Sequence, residues 1–128
     1  MLEKVVEKAL KKLEAYGFKV LKLRTPGVNG VMDRMILMPV WSPAPPAFVE
    51  MKRPGEEERA LQAATRDQWR ARGCNVLDAC DTLDDVEELR RHLLREAVMR
   101  VPSSTRYIIL PRHILDDFNE ACQARTVV

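Results

Sequence analysis

A carboxylate and an ammonium two residues apart on one short apolar stretch, Phe48-Val49-Glu50-Met51-Lys52, constrain this chain more than any other feature. Side chains along a strand alternate between faces, so Glu50 and Lys52 project together while Val49 and Met51 turn into a core. Upstream, Gly30-Val31-Met32-Asp33 leads into a second apolar run, Met35-Ile36-Leu37-Met38, with Asp33 near its start. Between the two runs, Pro39 to Pro46 holds four prolines and a serine, which is turn chemistry that folds the second strand back beside the first. The hairpin brings Asp33 and Glu50 together next to Lys52. Two carboxylates about 5 Å apart repel by about 3 kcal/mol at an effective dielectric of about 20. A hard divalent cation removes that penalty, and Mg²⁺ commonly takes one or two carboxylates plus phosphate oxygens. Such an arrangement suits phosphodiester hydrolysis.

The rest of the chain supplies a frame for that hairpin. Leu2, Val5, Val6, Ala9, Leu10, Leu13 and Tyr16 recur at helical spacing, and Gly17 stands where a helix ends. Phe18 to Leu23 reads as a first strand. Thr25-Pro26-Gly27 and Asn29-Gly30 are turns before the strands at about Val31 to Met38 and Ala47 to Lys52. Arg53-Pro54-Gly55 breaks the sheet, and Glu56 to Arg72 predicts a second helix ended by Gly73, with Leu61, Thr65 and Trp69 on one face. Asn75 to Ala79 is a further strand. Thr82 caps a third helix, with Asp85 as its capping-box partner and Val86, Leu89, Leu93 and Ala97 inward. A crossover helix between the Glu50 strand and the Asn75 strand favours a parallel pair, so the sheet is mixed. The core is complete by about residue 100. Residues 101–128 form an extension: a linker at Pro102-Ser103-Ser104, a short strand Tyr107 to Leu110, and a last helix from Arg112 to Ala124.

The 128 residues suit one domain with a real core, and 46% hydrophobic against 31% charged residues describe a globular chain. A formal net charge of only +2 does not announce a nucleic-acid partner, which must be argued from local patches. Cys74, Cys80 and Cys122 are odd in number and lack zinc-site or disulfide spacing, so they read as free thiols in a reducing cytoplasm. Met1-Leu2-Glu3-Lys4 runs straight into a charged helix, unlike a signal peptide. No apolar run reaches the length of about 18 residues that spans a bilayer. A cytoplasmic protein is expected (the host cytoplasm, for a viral chain), neither secreted nor bound to a membrane.

With these pieces in order, the chain resembles the VRR-NUC family, a branch of the PD-(D/E)xK nucleases, over about residues 2 to 95. The carrying residues are Gly30-Val31-Met32-Asp33, Phe48-Val49-Glu50-Met51-Lys52-Arg53-Pro54-Gly55, Gln62, and Gly73-Cys74-Asn75-Val76. The family pattern has a Gly-x-Pro-Asp turn, a Glu-x-Lys strand, and a glutamine eleven residues before a glycine, a spacing that Gln62 and Gly73 keep and Gln68 does not. Met32 departs from the family's usual proline, at a position that shapes the turn and supplies no ligand. The proline-rich loop from Val40 to Pro46 is a second departure. The family also places a glutamate near the start of the first helix, where Glu3 fits best and Glu7, one turn later, is the reserve.

The resemblance implies a restriction-endonuclease-like α/β core at residues 1–100, ordered helix, three-stranded meander, helix, strand, helix. It implies Asp33 and Glu50 as metal ligands, with the Met51 backbone carbonyl completing the set and Mg²⁺ as the cation, Mn²⁺ substituting. Lys52 is implied to orient the attacking water and stabilise charge on the phosphate. Glu3 assists at the metal, and Gln62 holds Lys52 or the substrate. The implied activity is endonucleolytic cleavage of DNA, on branched substrates such as four-way junctions, by a homodimer whose two sites make two symmetric cuts. Apart from the resemblance, the apolar strand Tyr107 to Leu110 and the Ile114, Leu115 and Phe118 face make the extension at 101–128 a candidate for dimer contacts or an extra edge strand, the alternative being that it folds back on its own domain.

Other charged and aromatic residues carry plainer readings. Arg24, Arg34, Arg53, Arg59 and Arg66 form a candidate basic rim for DNA backbone, and Lys22 is either a phosphate contact or a surface lysine. Trp69 reads as core. His92, His113, Asp78 and Asp81 read as non-catalytic, and Asp84-Asp85-Glu87-Glu88 as a solvated helix face. A non-catalytic nucleic-acid-binding module on the same fold is the competing function, but such a module is free to lose Asp33, Glu50 or Lys52. A purely structural interaction protein leaves two carboxylates beside a lysine unexplained.

Overall fold

In the computed structural model, residues 2–23, 33–51, 60–77 and 82–126 are described, with side chains at 4–23, 33–51, 63–77 and 82–123. The order is α1 (Leu2–Lys11), a 3-10 helix (Lys12–Tyr16), β1 (Lys19–Lys22), β2 (Arg34–Leu37), β3 (Ala47–Val49), α2 (Ala60–Ala71), β4 (Asn75–Val76), α3 (Leu83–Met99), α4 (Ser103–Ile109) and α5 (Arg112–Thr126). The fold is α/β, with a four-stranded mixed sheet in the order β1-β2-β3-β4. β1 and β2 pair antiparallel, as do β2 and β3, while β3 and β4 run parallel across the α2 crossover.

Sequence explains each element locally. Val6, Leu10 and Leu13 bury one stripe of the first helix while Lys4, Lys8 and Lys11 stay exposed. The 3-10 turn stops at Gly17, whose φ of 99° lies in the left-handed region. A Cβ there would also stand 3.2 Å from the Pro39 side chain, a tight contact that adds to the preference for glycine. Ser42 anchors the proline-rich loop, its hydroxyl donating to the Ala97 carbonyl on α3 at 2.8 Å. Thr82 caps α3 by accepting from the Asp85 N–H at 3.1 Å, and the Asp85 carboxylate accepts in return from the Thr82 N–H at 3.2 Å.

One face of the sheet meets α1 and α3 in the main core, where Val20, Ile36, Ala47 and Val49 pack with Leu10, Leu13, Leu93 and Leu94. On the opposite face, Phe48 meets Trp69 of α2 edge-on, with ring centroids 5.3 Å apart. Trp69 is therefore half-buried packing, as its position on the helix predicts.

The extension departs from its expected form. Tyr107 to Leu110 is not a strand: α4 runs through Ser103–Ile109 and leaves Tyr107 and Ile108 nearly four-fifths exposed. The Arg106 side chain turns back to donate to the Val101 carbonyl at 3.0 Å, and the Thr105 hydroxyl donates to the Pro102 carbonyl at 2.9 Å. These local bonds close a helical turn without needing a sheet edge. The last helix forms as expected, and Ile114, Leu115 and Phe118 are buried with Val98 of α3 in a second core. That face is thus covered in cis, and the candidate dimer contact through it is withdrawn. Among the described residues, no helix is long and apolar enough to cross a membrane, and Cys74 and Cys122 are free thiols.

Candidate active site

The strand register fixes the geometry of the carboxylate pair. Arg34 of β2 lies opposite Val49 of β3, the end pair of that ladder, and Asp33 and Glu50 are the next residues outward on the two chains. The strand alternation, carried one residue further, directs both to one face. By alternation that face is the one carrying Met35 and Phe48, away from the main core. Both carboxylates are only partly exposed. Val49 is fully buried and Met51 packs against the main core, as the alternation requires.

Asp33 is held firmly. Its Oδ1 accepts a hydrogen bond from the Met51 backbone N–H at 2.8 Å, tying the start of β2 to the end of β3. Its backbone carbonyl accepts from the Leu23 N–H at 2.8 Å, extending the β1–β2 ladder by one step. Burial pushes its carboxyl above the ordinary carboxylate range, opposed by the Met51 N–H and by the nearby positive charges of Arg34 and Lys22. A carboxylate that is desolvated and set beside a second one is destabilised as an anion, and a cation relieves both strains. The donors present are hard oxygens, which fit Mg²⁺ or Mn²⁺ with water and phosphate in the remaining positions. Among the described residues, no group of three or more His, Cys, Asp or Glu side chains converges.

The other expected site residues are placed less fully. Lys52 lies outside the described residues, as do Arg24, Arg53 and Arg59. Glu3 and Gln62 fall within α1 and α2, and their side chains lie outside what is described. Lys22 is exposed at the end of β1, opposite Arg34 in register. His113 stacks at 6.5 Å on Tyr16, and His92 stands 4.0 Å from Glu96 on α3.

Arg34 differs from its expected place on a basic rim. It is 6% exposed and points to the core face, opposite to its neighbour Asp33. Its Nη2 pairs with Glu7 of α1, and its Nη1 lies 3.3 Å from Asp33 Oδ2 and donates to the Asp33 carbonyl at 3.1 Å. The period-2 rule carries the signal for this burial: if Asp33 faces outward with Glu50, then Arg34 and Ile36 must face inward.

No protein-family model matches the chain, and neither does any curated protein. A search of solved structures finds similarity to a chain titled "VRR_NUC domain", at 29% sequence identity and a TM-score of 0.59. The match covers 72% of this chain and 97% of that one. Almost the whole of a solved domain is thus matched in fold and in more than a quarter of its sequence, which supports a VRR-NUC family member with a nuclease-type fold.

Proposed function

We propose that the protein is a metal-dependent DNA endonuclease that hydrolyses phosphodiester bonds, acting on branched DNA such as four-way junctions. The observation that supports this reading is that Asp33 and Glu50 stand immediately beyond the Arg34–Val49 pair at one end of the β2–β3 ladder, with Asp33 fixed by the Met51 N–H. Asp33, Glu50 and the Met51 carbonyl hold Mg²⁺, with Mn²⁺ able to replace it. The cation supplies charge stabilisation at phosphorus and acidifies water. Lys52 orients the attacking water for in-line displacement and stabilises charge on the phosphate. Gln62 holds Lys52 or the substrate, and Glu3 assists from α1. The chain acts as a homodimer, which gives a junction two symmetric cuts, and the exposed Tyr107, Ile108 and Ile109 of α4 are the apolar surface open to a second copy.

A titration of Mg²⁺ and Mn²⁺ followed by cleavage of intact plasmid, linear duplex and four-way-junction DNA tests the reading. Cleavage that requires the metal and favours the junction supports it. DNA binding without metal-dependent cleavage supports the non-catalytic module instead. Equal cutting of all substrates removes the junction preference and leaves the nuclease.

A further inference from the structure

Arg34 is the only charged residue buried among the described residues. A buried cation is costly unless paired and hydrogen-bonded. Its partners here come from two elements at once: Glu7 on α1, and the carbonyl and carboxylate of Asp33 at the start of β2. Asp33 is correspondingly pinned on both sides, its Oδ1 by the Met51 N–H at 2.8 Å and its Oδ2 by the Arg34 guanidinium at 3.3 Å. An ionised carboxylate offers about four lone-pair sites, so these two contacts set its plane and still leave acceptors for a cation. One arm of the fork meets Glu7 on α1, and the other satisfies the buried cation through Asp33, reaching its carboxylate as well as its carbonyl.

We propose that Arg34 is a positioning residue for the metal site: held on α1 by Glu7, its guanidinium fixes the Asp33 carboxylate in the orientation the cation needs. The inference rests on the reading of Asp33 and Glu50 as metal ligands. Glu7 balances the guanidinium charge, so the fork can approach the site without simply repelling a cation from it. A lysine offers one compact charge and cannot span both partners, so Arg34→Lys preserves charge and loses the geometry.

The test compares wild type, Arg34→Lys, the charge-neutral pair Arg34→Met/Glu7→Gln, and Asp33→Asn, all in the full chain. Three quantities are read: the thermal midpoint without metal, Mn²⁺ affinity by calorimetry, and kcat and KM for DNA cleavage at saturating metal. Arg34→Lys is expected to keep a near-wild-type midpoint and DNA KM, while Mn²⁺ affinity or kcat falls by about tenfold or more, the scale of a lost orienting contact behind a ligand. The double variant is expected to show a similar loss. Wild-type Mn²⁺ affinity and kcat in a folded Arg34→Lys or double variant overturn the proposal. So does a loss of activity that only tracks the unfolded fraction, or an Arg34→Lys chain that fails to fold, since either assigns Arg34 to packing. Mn²⁺ binding by wild type that Asp33→Asn leaves unchanged brings down the metal-site reading itself, a result distinct from failure at Arg34 alone.

Discussion

Lys52 stands two positions beyond Glu50, where either a catalytic group or a backbone contact could serve. The two roles separate in a substitution. Lys52→Ala is expected to lower the single-turnover rate by about 10² or more, the scale of a lost acid–base or charge-stabilising group. DNA binding measured without turnover should weaken only modestly. Small and equal losses in rate and binding would make Lys52 one phosphate contact among several. At this scale the sequence is legible where alternation alone decides: Val49 and Met51 turn inward, and Arg34, next to Asp33, pairs with Val49, next to Glu50. It was less legible at Arg34, because arginines near a nuclease motif suggest DNA contact, whereas the strand period turns this one toward Glu7.

Elements show the same balance between local signals and context. The end of the 3-10 turn at Gly17, the Thr82 cap of α3 and the parallel β3–β4 pair follow from turn, cap and crossover rules applied to the sequence. The α4 segment did not follow, because Tyr107-Ile108-Ile109 favours a strand by side-chain type, yet the bonds of Thr105 and Arg106 to preceding carbonyls close a helix instead. The docking of α5 onto α3 is tied to the first helix by Tyr16, whose hydroxyl donates to Asp117 at 2.7 Å and accepts from Arg90 at 3.3 Å. Burial and the Asp117 bond push the Tyr16 hydroxyl above its ordinary value of 10.0, with Arg90 opposing. A raised folded value means that the unfolded chain loses this proton first. The stabilisation is therefore complete below the unfolded value and is lost as pH rises through the folded one. Thermal midpoints of wild type should accordingly fall more steeply than those of Tyr16→Phe between about pH 9 and about pH 11. Parallel profiles would show that Tyr16 keeps no proton of consequence to α5 docking.

Across the whole molecule, a net charge of +2 provides little general attraction to DNA, so the proposed activity depends on a local site and on how many copies act together. Light scattering is expected to give a dimer for wild type and a monomer for Ile108→Glu, since α4 exposes Tyr107, Ile108 and Ile109. A monomeric wild type removes the dimer, and a dimeric Ile108→Glu moves the contact elsewhere. Neither result bears on whether one site can cut. That claim stands on Asp33 and Glu50, and it is tested most directly by metal-dependent plasmid nicking with Asp33→Ala and Glu50→Ala beside wild type. Wild type should nick only with Mg²⁺ or Mn²⁺, and both variants should fold and fail to nick at any metal concentration. Nicking by Asp33→Ala at the wild-type rate would contradict the assignment of the site.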